Sequence, residues 1–72
     1  MKVRCVSVTV DPSSECASVA VRIVDVATGE CLAETGAYPA SHLWEAFHRA
    51  SFTVARHGWT DVDPYLSRAV AT

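Results

Sequence analysis

Through residues 3–10 the chain reads Val-Arg-Cys-Val-Ser-Val-Thr-Val. Val6, Val8 and Val10 fall on one side of an extended chain and Cys5, Ser7 and Thr9 on the other, the period-two pattern of a half-buried strand. Asp11-Pro12-Ser13-Ser14-Glu15 ends it, because proline cannot continue a ladder and Asp and Ser favour turns. Residues 16–26 repeat the alternation, with Ala17, Val19, Val21 and Ile23 on one face and Ser18, Ala20, Arg22 and Val24 on the other. Joining the two valine faces sets Val10 opposite Ala17, Val8 opposite Val19 and Val6 opposite Val21. A slip by one residue would turn one apolar set to water, so the pattern specifies a register. In that register Val3, Cys5, Ala20, Val24 and Val26 lie on the outer face, which is then more apolar than a solvated face requires.

Asp25-Val26-Ala27-Thr28-Gly29-Glu30 predicts a hairpin turn, with Gly29 in the left-handed conformation that a type I turn plus bulge needs. Residues 31–35 form a short third strand, in which Glu34 can pair with Arg22 across the hairpin. Gly36-Ala37-Tyr38-Pro39 ends it. Residues 41–57 then switch to the helical period. Ser41 is the expected N-cap. Gly58 is the expected left-handed stop, with Arg56 and His57 against the negative helix end and Trp59 folding back on Val54. Beyond Gly58, residues 59–62 read as a short edge strand or loop. Asp63-Pro64 can start a terminal helical turn running from Tyr65 to Ala71.

The expectation is therefore one small α+β domain spanning residues 1–72: a three-stranded antiparallel sheet packed by one long helix (β-β-β-α), with a short C-terminal helical or extended element. A chain of 72 residues has a small core. Metals, disulfides or association often support domains of this size. The cysteines, Cys5, Cys16 and Cys31, are odd in number and contain no Cys-x-x-Cys pair. Cys16 and Cys31 open their strands at opposite ends of a hairpin, too far apart for a disulfide. All three read as free thiols. His42, His48 and His57 are spaced by six and nine residues, not the four that place two imidazoles on one helix face. No metal site and no cofactor are expected.

Charge narrows the partners. The net charge is −2, with one lysine and five arginines and no basic stripe, so nucleic acid is not an expected partner. No apolar run approaches the length of a membrane helix. Ser7, Thr9 and Asp11 interrupt the only stretch that could imitate a leader. Free thiols without an export signal point to the cytoplasm.

The helix carries the functional expectation. Leu43, Ala46, Phe47, Ala50 and Val54 form the stripe that faces the sheet. Trp44, His48, Phe52 and Ala55 form a second strip running toward its back, with Glu45 and Arg49 at the favourable i, i+4 spacing nearby. Two large aromatics outside the core stripe either lie beneath Trp59, Tyr65 and Leu66 or meet another molecule. Trp, Tyr and Arg dominate interface hot spots. The leading expectation is a non-enzymatic protein-interaction module of regulator or inhibitor type, a homodimer, binding through Trp44, His48, Phe52 and Trp59.

An alternative rests on the acids. Asp11 at the end of the first strand, Glu45 on the following helix and Asp61 or Asp63 after that helix resemble, in their order, the carboxylates of ribonuclease H-like nucleases. That resemblance implies a βββαβα order and acids gathered around two Mg²⁺ ions, which clamp the attacking and leaving oxygens. Here Pro12 follows Asp11 where the family has glycine. The alternative expectation is a truncated metal-dependent nuclease of that type, or its non-catalytic relic.

Overall fold

A computed structural model describes residues 1–10 and 17–63. The elements run β1 (Lys2–Thr9), β2 (Ser18–Asp25), β3 (Cys31–Glu34), β4 (Tyr38–Pro39), a 3₁₀ turn (Ala40–His42), α1 (Leu43–Arg56) and β5 (Thr60–Asp61). They make one mixed sheet in the order β3-β2-β1-β5, with β4 also on β2, and one helix across a face of it. The α+β class is as expected, but among the described residues the sheet has five strands rather than three, and it is not purely antiparallel.

The two additional strands have local causes. β4 extends the edge begun by β3, pairing Val19 with Tyr38 and Ser18 with Pro39. Thr35 bridges the gap between them. Its N–H donates to the Val21 carbonyl (2.9 Å), and its hydroxyl accepts the Val21 N–H (3.0 Å), taking the place of a backbone carbonyl in the ladder. Pro39 is tolerated because an edge strand has no obligatory donor on its outer side. β5 runs parallel to β1, with Thr60 N–H donating to Met1 O (2.9 Å) and Val62 N–H to Val3 O (3.0 Å). A helix is the usual connection that returns a chain to a parallel position, and α1 serves as that crossover.

The β2–β3 hairpin forms as its sequence predicts. Gly29 has φ +77°. Its N–H bonds to Asp25 O (2.7 Å), and the Asp25 carboxylate accepts the Ala27 N–H (2.9 Å). Arg22 and Glu34 are opposite one another and joined at 2.8 Å. Leu32 is the extra residue of a bulge between the Ile23–Ala33 and Val24–Cys31 pairs. The bulge turns both Leu32 and Ala33 toward the core.

The β1–β2 register is one residue away from the expected one. Val8 opposes Ala20, Ser7 opposes Val21 and Val6 opposes Arg22. Residues of like parity therefore share a face, and the faces of β1 are exchanged. Val3 and Cys5 meet the helix together with Val21 and Ile23, whereas Val6 and Val8 lie on the side away from it. The reason is that β1 offers apolar residues to both faces, Val3 and Cys5 to one and Val6 and Val8 to the other, so alternation alone does not choose between them. Its choice follows from where the crossover lands: β5 docks beside Lys2 and Val3, bringing the end of α1 over the first half of the strand. Ser7 and Thr9, on the helix side but beyond its reach, are exposed.

The core is Val3, Val21 and Ile23 from the sheet against Ala46, Phe47, Ala50 and Val54 from the helix. Ala46 and Ala50 are fully buried. One turn apart on the same face, their small side chains let the helix axis lie close to the sheet. At the N-terminus the expected cap is not used. Ser41 is inside the 3₁₀ turn, and the residue before α1 is His42, which makes no side-chain capping bond. Glu45, three residues on, supplies the favourable negative charge in the first turn. At the C-terminus the expected ending forms in full. Gly58 has φ +70°, its N–H bonds to Ala55 O (3.1 Å), and the Trp59 N–H bonds to Val54 O (3.1 Å). Those two bonds define a Schellman motif, and Trp59 packs on the core cluster that includes Val54.

The turn at residues 11–15, the start of strand two at Cys16 and the proposed terminal helical turn from Pro64 onward lie outside the described residues.

Candidate interaction surface

Helix geometry places the aromatic strip. At about 100° per residue, Phe52 points almost diametrically away from the core stripe, and Trp44 lies about 100° round from it, with His48 between. The structure leaves Trp44 57% and Phe52 56% exposed, and His48 is exposed too. Trp44, His48 and Phe52 thus form one continuous ridge at i, i+4 and i+8 on the outer side of α1.

Trp59 does not join them. It is half-buried beyond the helix end, packs on the core and stacks on His57 with ring centroids 4.3 Å apart and planes 10° from parallel. Tyr65 and Leu66, the other residues that could overlie the ridge, are outside the described residues. Tyr38, by residue type part of the turn that ends the third strand, is brought beside the ridge by β4. With Glu45, His48, Arg49 and Phe52 it lines a shallow groove of about 310 Å³. Its proximity was not legible because it depends on β4 pairing with β2.

The charges along this face are local. Glu45 Oε2 lies 3.9 Å from His42 Nδ1, so its nearest basic group is the imidazole three residues before it rather than Arg49. Arg49 follows one turn later on the same flank of the helix.

The acids of the nuclease reading separate. Asp11 lies outside the described residues. Glu45 is in the first turn of α1, and roughly 16 Å of helix lies between it and Arg56 at 1.5 Å per residue. Asp61 is past that far end, beside Cys5, and accepts the Asp63 N–H at 2.9 Å. Among the described residues no three His, Cys, Asp or Glu side chains gather in a way that could hold a metal ion. Cys5 and Cys31 are free thiols. Burial, the Asp61 charge and a hydrogen bond to Asp61 together push the Cys5 thiol up to about 11, away from the reactive thiolate form.

The opposite side of the sheet is a second apolar surface. Val6, Val8 and Val24 are half-buried there, while Val10 and Val26 are exposed. Arg4, Arg22 and Glu34 are interspersed among them. Mixed charge of this kind is ordinary for the open face of a two-layer domain. Among the described residues no helix is long and apolar enough to cross a membrane.

Comparison with protein-family models, with curated proteins and with solved structures finds no match for this chain.

Proposed function

We propose that this domain is a small non-enzymatic protein-interaction module that acts by docking the outer face of α1 onto another protein. The supporting observation is the exposure of Trp44 and Phe52 on the side of the helix away from its core. Neither ring is needed to hold the helix on the sheet, since Ala46, Phe47, Ala50 and Val54 already fill that contact. Roughly half of each ring's 150–250 Å² is open to water. Covering it is worth about 2–3 kcal/mol per ring at 25 cal/mol per Å². Tryptophan in particular is enriched where partners meet. His48, Arg49 and Glu45 supply polar groups around the rings, the usual rim of such a surface.

The reading is tested with immobilised wild-type protein and its Phe52→Glu variant, both shown by circular dichroism to be folded. Each is exposed to a lysate of the source cells, and retained proteins are compared by mass spectrometry. At least one protein, copies of this chain included, should be retained by the wild type and lost from the variant. Identical retained sets on the two surfaces would sink the proposal.

A further inference from the structure

We infer that the occupant of this face is a second copy of the chain, its α1 laid antiparallel across the first about a two-fold axis beside His48. This rests on the helix face being a binding surface and adds the partner and its geometry. Three features of the face support it.

The first is shape. Glu45 and Arg49 form one i±4 row on the helix, Trp44, His48 and Phe52 form the next, and Glu45, Arg49, His48 and Phe52 line a groove of about 310 Å³ together with Tyr38. An isologous contact uses the same patch on both chains, and an antiparallel two-fold lays the row Trp44, His48 and Phe52 against its own copy.

The second is the symmetry of the ridge. Trp44 and Phe52 are each four residues from His48. Turning a copy over about an axis beside His48 therefore places Trp44 of one chain against Phe52 of the other, twice. Four rings, each more than half exposed, then contribute on the order of 400 Å² of apolar surface. That is about a third of the roughly 1,200 Å² at the small end of specific interfaces. Tyr38 and the helix flanks must supply the rest, so the dimer belongs at the weak, micromolar end.

The third is charge, which selects the antiparallel arrangement. Glu45 and Arg49 project on the same flank, one turn apart. The antiparallel two-fold brings Glu45 of each chain beside Arg49 of the other. A parallel two-fold would instead leave the two Glu45–Arg49 rows on opposite flanks of the interface, where they could not pair, so the charge complementarity is available to the antiparallel arrangement alone.

Sedimentation equilibrium from micromolar to near-millimolar concentration should show a monomer–dimer equilibrium. Trp44→Ala and Phe52→Glu should each weaken it at least about tenfold with the circular dichroism spectrum unchanged. Glu45→Arg alone should weaken the dimer, and Glu45→Arg combined with Arg49→Glu should restore it, a rescue that a purely structural role would not give. His48→Cys under mild oxidation should yield a product in which the position-48 peptide is joined to itself. Arg56→Cys, whose mates would be roughly 24 Å apart at 1.5 Å per residue, should not self-link. A monomer throughout the concentration range, with no self-linking at position 48, overturns the pairing. The helix-face reading then stands or falls separately on the retention experiment. A dimer that survives Trp44→Ala and Phe52→Glu but is lost on Val8→Glu also overturns it, and assigns the contact to the outer sheet face.

Discussion

The Cys5 thiol donates a hydrogen bond to the Asp61 carboxylate, tying the two-residue strand β5 to β1. Burial is the largest cause of the raised thiol pKa, and the neighbouring charge and the bond itself act in the same direction. Cys5 should therefore alkylate far more slowly than exposed Cys31 near pH 8, as read by mass spectrometry of iodoacetamide-treated protein. Asp61→Asn removes the charge and should bring the Cys5 rate up without abolishing the difference, since burial remains. The sign for stability follows. A group whose folded pKa of about 11 exceeds its unfolded value of 9.0 contributes stability that is complete below pH 9 and is lost as pH rises toward 11. The denaturant midpoint should fall across that window, and fall less in Cys5→Ser. A midpoint that is flat between pH 9 and 11 would contradict the contact.

Gly58 ends α1 at φ +70°, and a Cβ built there would meet nothing within 4 Å. The cost of Gly58→Ala is therefore conformational, about 1–2 kcal/mol, with no clash added. For a domain this small, each kcal/mol corresponds to roughly 4–8 °C of melting temperature. Gly29→Ala should behave alike for the same reason, at φ +77° with open space around it. If Gly58→Ala melts with the wild type, the Schellman ending does not hold the helix in solution.

Thr35 supports the edge of the sheet with its side chain rather than its backbone. Thr35→Val keeps the shape but leaves the Val21 N–H without its acceptor, at a cost of about 1–3 kcal/mol. Thr35→Ser keeps the hydroxyl and should lose much less. Equal loss in the two variants, measured by urea denaturation, would mean that the methyl group and not the hydroxyl is what the site needs.

The Arg22–Glu34 pair, although short at 2.8 Å, has both side chains more than 40% exposed. A double-mutant cycle should return a coupling under about 1 kcal/mol that shrinks in high salt. The pair marks register more than it stabilises. A larger coupling that is indifferent to salt would show it to be better shielded than it is here.

The parts of this fold that were legible from sequence are those governed by neighbours along the chain. Gly58 and Trp59 lie within one turn of Val54, and Gly29 within one turn of Asp25, so residue type alone decides the hydrogen bonds. The inward stripe of α1 likewise follows from helical spacing. The exposure of Trp44 and Phe52 could be anticipated from their angle on the helix, whereas Tyr38 could not be placed beside them without β4. β5 was legible as an extended segment but not as a parallel neighbour of β1, because that pairing joins residues almost sixty positions apart. Ser41 was expected to cap the helix by residue type. The preceding 3₁₀ turn moved the start two residues on and left His42 in that place.

β1 shows the limit most clearly, and it yields the sharpest comparison. By alternation, Val8 and Val21 are equivalent inward-facing valines. The observed register makes them unlike: Val21 is fully buried under the helix, and Val8 is half-buried on the far side. Replacing valine with threonine changes volume little but introduces a hydroxyl, which costs about 1–3 kcal/mol where it is buried without a partner. Val21→Thr should pay that cost, lowering the melting temperature by several degrees at the roughly 4–8 °C per kcal/mol of a small domain. Val8→Thr, open to water on one side, should be nearly neutral, as surface substitutions usually are. If the two variants lose equal stability, Val8 is also inside, and the strand pairs in the register that its alternation first indicates.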